Sequence, residues 1–180
     1  MKIPEDLKIL IKKEQIQEKI TELASLLNKD YKEKAPVLIC VLKGAFMFAA
    51  DLIRQLKITI EVDFIKLSSY GSNATSNGDI KKIHGLNSEL EGKDVLIIED
   101  IVDTGHTITF LLKELTEENP NSIRVCSLTS KPARREVEVK IDYLGFKIPN
   151  RFIVGYGLDF NEKFRNLADI YYLDIEIPEE

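Results

Sequence analysis

Val95-Leu96-Ile97-Ile98-Glu99-Asp100-Ile101-Val102-Asp103-Thr104-Gly105-His106-Thr107 is the most informative stretch of this chain. It opens as a continuous apolar run, the pattern of a strand buried on both faces in a parallel sheet. Acids then break the run at its end. In an open α/β sheet the ligand sits beyond the carboxyl ends of the strands, so Glu99, Asp100 and Asp103 are candidate site residues. Small and hydroxylated residues follow, and Ile108, Leu111, Leu112 and Leu115 continue as the apolar face of a helix starting near Thr104. The free amides and partial positive dipole of a helix start suit a phosphate. A bare acidic cluster repels phosphate, whereas a ligand with ribose hydroxyls, a monophosphate and bound Mg²⁺ satisfies both halves of the loop. Simple capping of the helix by Asp103 or Thr104 is the alternative, because both residue types are common caps.

The flanking sequence supports an α/β fold with a mostly parallel twisted sheet between helices. Ile11, Ile16, Ile20, Leu23 and Leu27 recur at helical spacing, which predicts an amphipathic helix over residues 11–27. Residues 36–42 form a second two-face-buried strand, and Lys43-Gly44 leads from it into a helical segment over 45–56. Residues 60–67 alternate as a strand with one more polar face, and the polar run 68–79 is a loop of a length that is either functional or disordered. Further strands are expected over 122–130, 143–146, 152–156 and 170–175. Strand and helix alternate through the middle of the chain, with no repeat and no interdomain linker, so one domain is expected over residues 1–180.

Bulk properties narrow the function classes. At 180 residues, 44% hydrophobic, the chain is long enough for a full core. A net charge of −5 and a pI near 5.3 argue against a partner that is nucleic acid or an anionic membrane. No apolar run approaches the ~20 residues that span a bilayer, and the charged amino terminus lacks a secretory apolar region. A cytoplasmic location is expected. Cys40 and Cys126 each lie inside an apolar run without metal-ligand spacing, and are expected as buried reduced thiols. Neither GxxxxGK[ST] nor a strand-linked GxGxxG occurs, which removes the two commonest phosphate-loop readings.

The stretch from Val95 to Thr107 closely resembles the phosphoribosyl pyrophosphate signature of type I phosphoribosyltransferases, and its Glu-Asp pair with the downstream sequence is similar to the hypoxanthine-guanine branch. Leu42-Lys43-Gly44, Ser69-Tyr70-Gly71, Ser130-Lys131-Pro132 and the block from Phe152 to Leu167 resemble the other segments of that family, so the likeness runs from about Leu42 to Leu167. It implies the phosphoribosyltransferase fold with a small hood built from the amino- and carboxyl-terminal segments. It also implies transfer of a phosphoribosyl group to hypoxanthine or guanine in purine salvage.

The residue roles that follow are implications of that resemblance. Glu99 and Asp100 would hold the ribose hydroxyls with Mg²⁺ nearby, and Asp103 would be the general base toward the purine N7. Asp103, Thr104, Gly105, His106 and Thr107 would surround the 5′-phosphate, with no chemical role assigned to His106. Lys43 and Gly44 would present amides to pyrophosphate, the Leu42-Lys43 peptide being cis in at least some states, and Arg165 would meet the same group. Ser69 and Tyr70 would belong to a mobile loop that closes over the site. Lys131 would donate to the 6-oxo group and so discriminate against adenine. Phe152 would stack on the purine, Ile153 would meet its edge, and Asp159 would bind a second Mg²⁺ beside the base.

Each segment also has a plainer explanation, as a helix entry at Lys43-Gly44, a surface loop at Ser69-Tyr70, a charged turn at Lys131 and core packing at Phe152 and Ile153. Ser130 departs from relatives that carry an acid there, which leaves the preference among 6-oxopurines open. The family likeness implies small-molecule substrates and a homodimer or homotetramer. Two other functions remain in view: a nucleic-acid-binding regulator on the same fold, and a xanthine-preferring transferase.

Overall fold

The computed structural model describes residues 6–69, 80–84 and 86–173. Its central sheet has six strands: β2 (Val37–Leu42), β3 (Glu61–Ser69), β4 (Ile80–His84), β5 (Asp94–Val102), β6 (Ser122–Ser130) and β7 (Tyr143–Lys147), in the order β4-β3-β2-β5-β6-β7. The five strands from β3 to β7 in that order are mutually parallel, and β4 lies antiparallel at one edge. A three-stranded antiparallel sheet joins β1 (Leu7–Ile11), β9 (Ile170–Leu173) and β8 (Ile153–Val154).

Alternation along the central strands sends successive side chains to two different cores. On one face Leu38, Cys40, Leu96, Ile98, Cys126 and Leu128 pack against α1 (Lys13–Asp30) and α2 (Phe46–Ile53) through Ile16, Ile20, Leu23, Leu27, Phe48 and Leu52. On the other, Val37, Ile39, Val95, Ile97 and Val125 meet α3 (His106–Thr116) through Ile108, Leu111 and Leu115. That double burial is why β2 and β5 read as unbroken apolar runs. Cys40 and Cys126 are buried free thiols, and burial, reinforced by Glu99 and Asp100, pushes Cys40 up to about 12.

Several boundaries differ from expectation. Ile11 fits the helical period but is the last residue of β1, and α1 begins only after Lys12, whose amide donates to Gln15 Oε1 at 3.0 Å. The start of the polar segment 68–79 belongs to β3, and the unforeseen β4 follows it. The strand expected over 152–156 pairs only at Ile153 and Val154, because Gly155 and Tyr156 turn into the left-handed region at φ 97° and 49°. Among the described residues no helix is long and apolar enough to cross a membrane.

Candidate active site

The topology brings the carboxyl ends of β2, β5 and β6 to one edge, facing the block that follows β8. At the end of β2 the Leu42-Lys43 peptide is cis, as the family likeness implied, and Gly44 begins the entry to α2. No side chain could replace the hydrogen of Gly44 without movement, because a Cβ there would fall 1.8 Å from Asp100 Oδ2 and 2.5 Å from its Cγ. Gly157, at φ 98°, closes from the other side, where a Cβ would lie 2.1 Å from the Gly44 carbonyl. Backbone and carboxylate thus form one tightly packed floor.

Glu99 and Asp100 are buried at 5% and 7% exposure. Burial raises the Glu99 carboxyl well above its ordinary range, and the Asp100 carboxyl adds to this; burial raises Asp100 as well, opposed by its hydrogen bonds and by Arg165. Glu99 Oε2 is buried with no hydrogen-bond partner. Such an oxygen is costly unless a ligand meets it. Among the described residues no three His, Cys, Asp or Glu side chains gather into a metal cage. Mg²⁺ is commonly held by one or two carboxylates together with substrate phosphates and waters, so a lone carboxylate pair with an unsatisfied oxygen fits it.

Asp103 lies just past β5. Its Oδ2 is 3.8 Å from Lys131 Nζ and its Oδ1 3.5 Å from Arg134 Nε, with Oδ1 buried and without a hydrogen bond. Lys131 follows β6 and is 5% exposed; burial lowers its pKa, while Asp103 opposes that shift. Beyond Asp103 the helix α3 is capped by Gly105 at φ 99°, and no side chain caps it. Capping by Asp103 or Thr104 is therefore not what places these residues here. The first-turn amides keep the anion-binding character of an uncapped helix start. His106, the first residue of α3, pairs through Nε2 with Glu136 at 2.8 Å.

The facing wall comes from the carboxyl-terminal block. Phe152 is part-exposed, and its ring meets Phe160 edge-on at 5.5 Å. Arg165 holds Asp159 at 2.8 Å, donates to the Gly157 carbonyl at 2.8 Å, and leaves Nε buried and unpartnered. Lys43 reaches across to Glu162 at 2.9 Å, which Arg165 also contacts at 3.3 Å. A cavity of about 330 Å³ results, lined by Lys43, Gly44, Asp100, Ile101, Asp103, Lys131, Phe152, Ile153, Leu158, Asp159 and Arg165.

Nine of those eleven residues, Lys43, Gly44, Asp100, Asp103, Lys131, Phe152, Ile153, Asp159 and Arg165, were singled out in the sequence. Glu99 lies behind Asp100, while Thr104, Gly105, His106 and Thr107 flank the cavity without lining it. Ser69 ends β3, and Tyr70 lies outside the described residues. Sequence reasoning missed Ile101 and Leu158 in the lining, Arg134 beside Asp103, and Glu162 between Lys43 and Arg165. None of these four residues carries a motif of its own in the sequence.

A parallel sheet with a phosphate-type helix start beside strand-end acids defines a phosphoribosyl-transfer fold, and the chain belongs to the phosphoribosyl transferase domain family, which it matches over residues 8–161. It is 44% identical to the hypoxanthine-guanine phosphoribosyltransferase of Bacillus subtilis, with 91% of each chain covered. It is equally similar to the bifunctional protein TilS/HprT of Listeria monocytogenes, where the match covers 96% of this chain and 27% of the relative, so the chain spans about a quarter of that longer protein. The crystal structure of a Staphylococcus aureus hypoxanthine phosphoribosyltransferase superposes with a TM-score of 0.91 at 41% identity, covering 97% of this chain and 96% of that one. A Bacillus anthracis hypoxanthine-guanine phosphoribosyltransferase, solved with HEPES in its active site, gives 0.88 at 44% identity over 92% and 97%.

Proposed function

We propose that this protein is a purine salvage enzyme that transfers the 5-phosphoribosyl group of phosphoribosyl pyrophosphate to hypoxanthine or guanine, giving IMP or GMP and pyrophosphate. One observation carries the proposal: Asp103, Lys131 and Phe152, suited to a 6-oxopurine, line the same cavity as Lys43, Gly44 and Arg165, suited to pyrophosphate. Two substrates would meet there, with Asp103 at their junction.

In the reaction, purine N9 forms a bond to the anomeric carbon as the bond from that carbon to pyrophosphate breaks. Positive charge builds on the ribose, and the Glu99-Asp100 pair beside its hydroxyls offsets it. Asp103 takes the proton from N7 and relieves the charge arriving on the base. Lys131 donates to the 6-oxo group; an adenine amino group there would face a second donor, which opposes its binding. Phe152 stacks on the ring while Phe160 braces it edge-on. The Ile153 backbone meets the base edge. Lys43, the amide of Gly44 and Arg165 receive the departing pyrophosphate, and the amides and hydroxyls of Asp103 to Thr107 hold the 5′-phosphate. Glu99 and Asp100, and for a second ion Asp159, would hold Mg²⁺, which would supply charge neutralisation for the leaving group. Ser69 and Tyr70 would close over the site, and the β1-β9-β8 sheet would act as its hood.

A homodimer or homotetramer in the cytoplasm completes the proposal. Val62 and Phe64 share one face of β3 and, with Phe46, are 39%, 43% and 40% exposed, apolar surface of the sort that association covers. The test of function is to incubate the protein with phosphoribosyl pyrophosphate, Mg²⁺ and each of hypoxanthine, guanine, xanthine and adenine, and to measure nucleotide formed. Hypoxanthine and guanine should react and adenine should not. No product from any oxopurine would overturn the proposal, and product from xanthine alone would reassign the substrate. Absence of product with salt-dependent retention of RNA or DNA would favour a nucleic-acid-binding role.

A further inference from the structure

The segment after Lys131 turns back beneath the phosphate loop. After the 3-10 turn Pro132–Arg134, the amides of Glu136 and Val137 both donate to the Thr104 carbonyl at 3.0 Å. The Val137 carbonyl packs so close to Gly105 that a Cβ there would come within 2.4 Å of it, and the Arg135 Cδ would lie 3.3 Å from the same position. Residues 135–137 therefore form a strap across residues 104–105, the left-handed corner from which α3 starts.

Arg135 fastens that strap. Its Nη2 donates to Ser130 Oγ at 2.7 Å and reaches the Val102 carbonyl at 3.4 Å, an oxygen that also accepts from the Lys131 amide at 3.0 Å. Val102 and Ser130 are register partners at the ends of β5 and β6. One guanidinium thus spans both strand ends, each a single residue before Asp103 or Lys131. Its Nη1 is buried with no hydrogen-bond partner, so its charge sits close beneath the loop where screening is weak. Ser130 is 2% exposed, and neither it nor Arg135 lines the cavity, so neither is offered to the purine.

We propose that Arg135 is a positioning residue for the 5′-phosphate, setting the Asp103–Thr107 loop through its clasp on Ser130 and Val102, and that Ser130 acts on phosphoribosyl pyrophosphate binding rather than on base choice. The proposal rests on the phosphoribosyl-transfer function above. Amides that must converge on one phosphate lose affinity when displaced by a fraction of an ångström, and a strap that fixes their carbonyl neighbour controls that convergence.

The test compares wild type with Arg135→Ala, Arg135→Lys and Ser130→Ala by steady-state kinetics for both substrates, by calorimetry with ribose 5-phosphate, and by thermal melting. Arg135→Ala is expected to raise the KM for phosphoribosyl pyrophosphate about tenfold or more and to weaken ribose 5-phosphate equally, with the KM for hypoxanthine within about twofold. Arg135→Lys keeps charge and stem but cannot span both strand ends, and recovers part of the loss. Ser130→Ala gives a smaller rise in the same constant and leaves the hypoxanthine-to-guanine ratio unchanged. A folded Arg135→Ala protein with wild-type affinity for both phosphate ligands overturns the proposal; if that variant does not fold, unchanged affinities in Arg135→Lys do so. A shift in base ratio by Ser130→Ala without change toward phosphoribosyl pyrophosphate also overturns it. Wild type that binds ribose 5-phosphate through Arg135 yet forms no nucleotide would sink the function and leave the positioning role standing.

Discussion

Lys131 Nζ stands 3.8 Å from Asp103 Oδ2, so an ammonium at the end of β6 faces a carboxylate just beyond the end of β5 on the wall of the cavity. The pair offers a donor and an acceptor side by side, which matches the O6 and N7 edge of a 6-oxopurine. Arg134 approaches the other carboxylate oxygen at 3.5 Å, so Asp103 keeps a cationic neighbour when Lys131 turns to the base.

Replacing Asp103 by Asn retains the shape and removes the proton acceptor. Turnover should fall by ~10²-fold or more, because a positioned general base contributes on that scale. Steady-state assays at saturating substrate check this, and unchanged turnover would remove Asp103 from the role.

Lys131 binds a stability cost to specificity. Burial lowers its pKa, Arg134 lowers it further, and Asp103 opposes without cancelling. A lysine with a depressed folded-state pKa is less stable charged than it would be in water, so the cost is present at neutral pH and disappears only above the ordinary lysine value of about 10.4. Lys131→Met removes the buried charge and keeps the stem, and Arg134 stays beside Asp103, so the variant should melt no lower than wild type. The same variant should lose discrimination between hypoxanthine and adenine. Calorimetric melting at pH 7 and paired assays with the two bases check both halves; a lower Tm would contradict the first.

The fold was legible where burial is double-sided. β2 and residues 95–98 of β5 carry no polar residue because helices cover both faces, and the acids at 99 and 100 stand out against that background. The edges were not. Ile11 satisfies the helical period of α1 and the alternation of β1 equally, β8 is two residues long, and Ile80-Lys81-Lys82-Ile83-His84 does not alternate apolar with polar. Within the site, Glu162 meets Lys43 across 119 residues of sequence, and Arg134 reaches Asp103 only because a 3-10 turn follows Lys131. Contacts of that kind arise from the packing of the carboxyl-terminal block and the strap, for which local pattern holds no signal.

Gly44 predicts a separable defect. Gly44→Ala would drive its methyl into the Asp100 carboxylate, which is buried and has little room to turn away. The KM for phosphoribosyl pyrophosphate should rise by about tenfold to a hundredfold, since displacement of site groups by an ångström acts on that scale. Under the proposed function hypoxanthine would be held on the opposite wall, so its KM should change little. Equal weakening of both substrates would contradict this division of the cavity.

Acid stability should depend on Asp63, far from that chemistry. Asp63 is 6% exposed on β3, and its carboxylate accepts the amides of Phe64 at 2.8 Å, Asn87 at 2.7 Å and Ser88 at 2.8 Å, tying the segment before β5 to the sheet. Burial pushes its pKa upward, but the amides of Ser88, Phe64 and Asn87 together outweigh that and hold it below the ordinary value. A depressed folded-state pKa means the stabilisation is fully present above the unfolded value of about 3.9 and is lost as pH falls through the lower folded one. Asp63→Asn keeps one acceptor oxygen and loses the charge, at a cost of about 1–3 kcal/mol at pH 7. The gap in Tm between wild type and variant should be widest at neutral pH and should narrow as the pH drops below about 4, where the carboxylate of the unfolded chain takes up its proton while the folded one still holds its charge. Melting curves from pH 7 to pH 3 check it. A gap that stays constant over that range would show that shape, and not charge, is what Asp63 contributes.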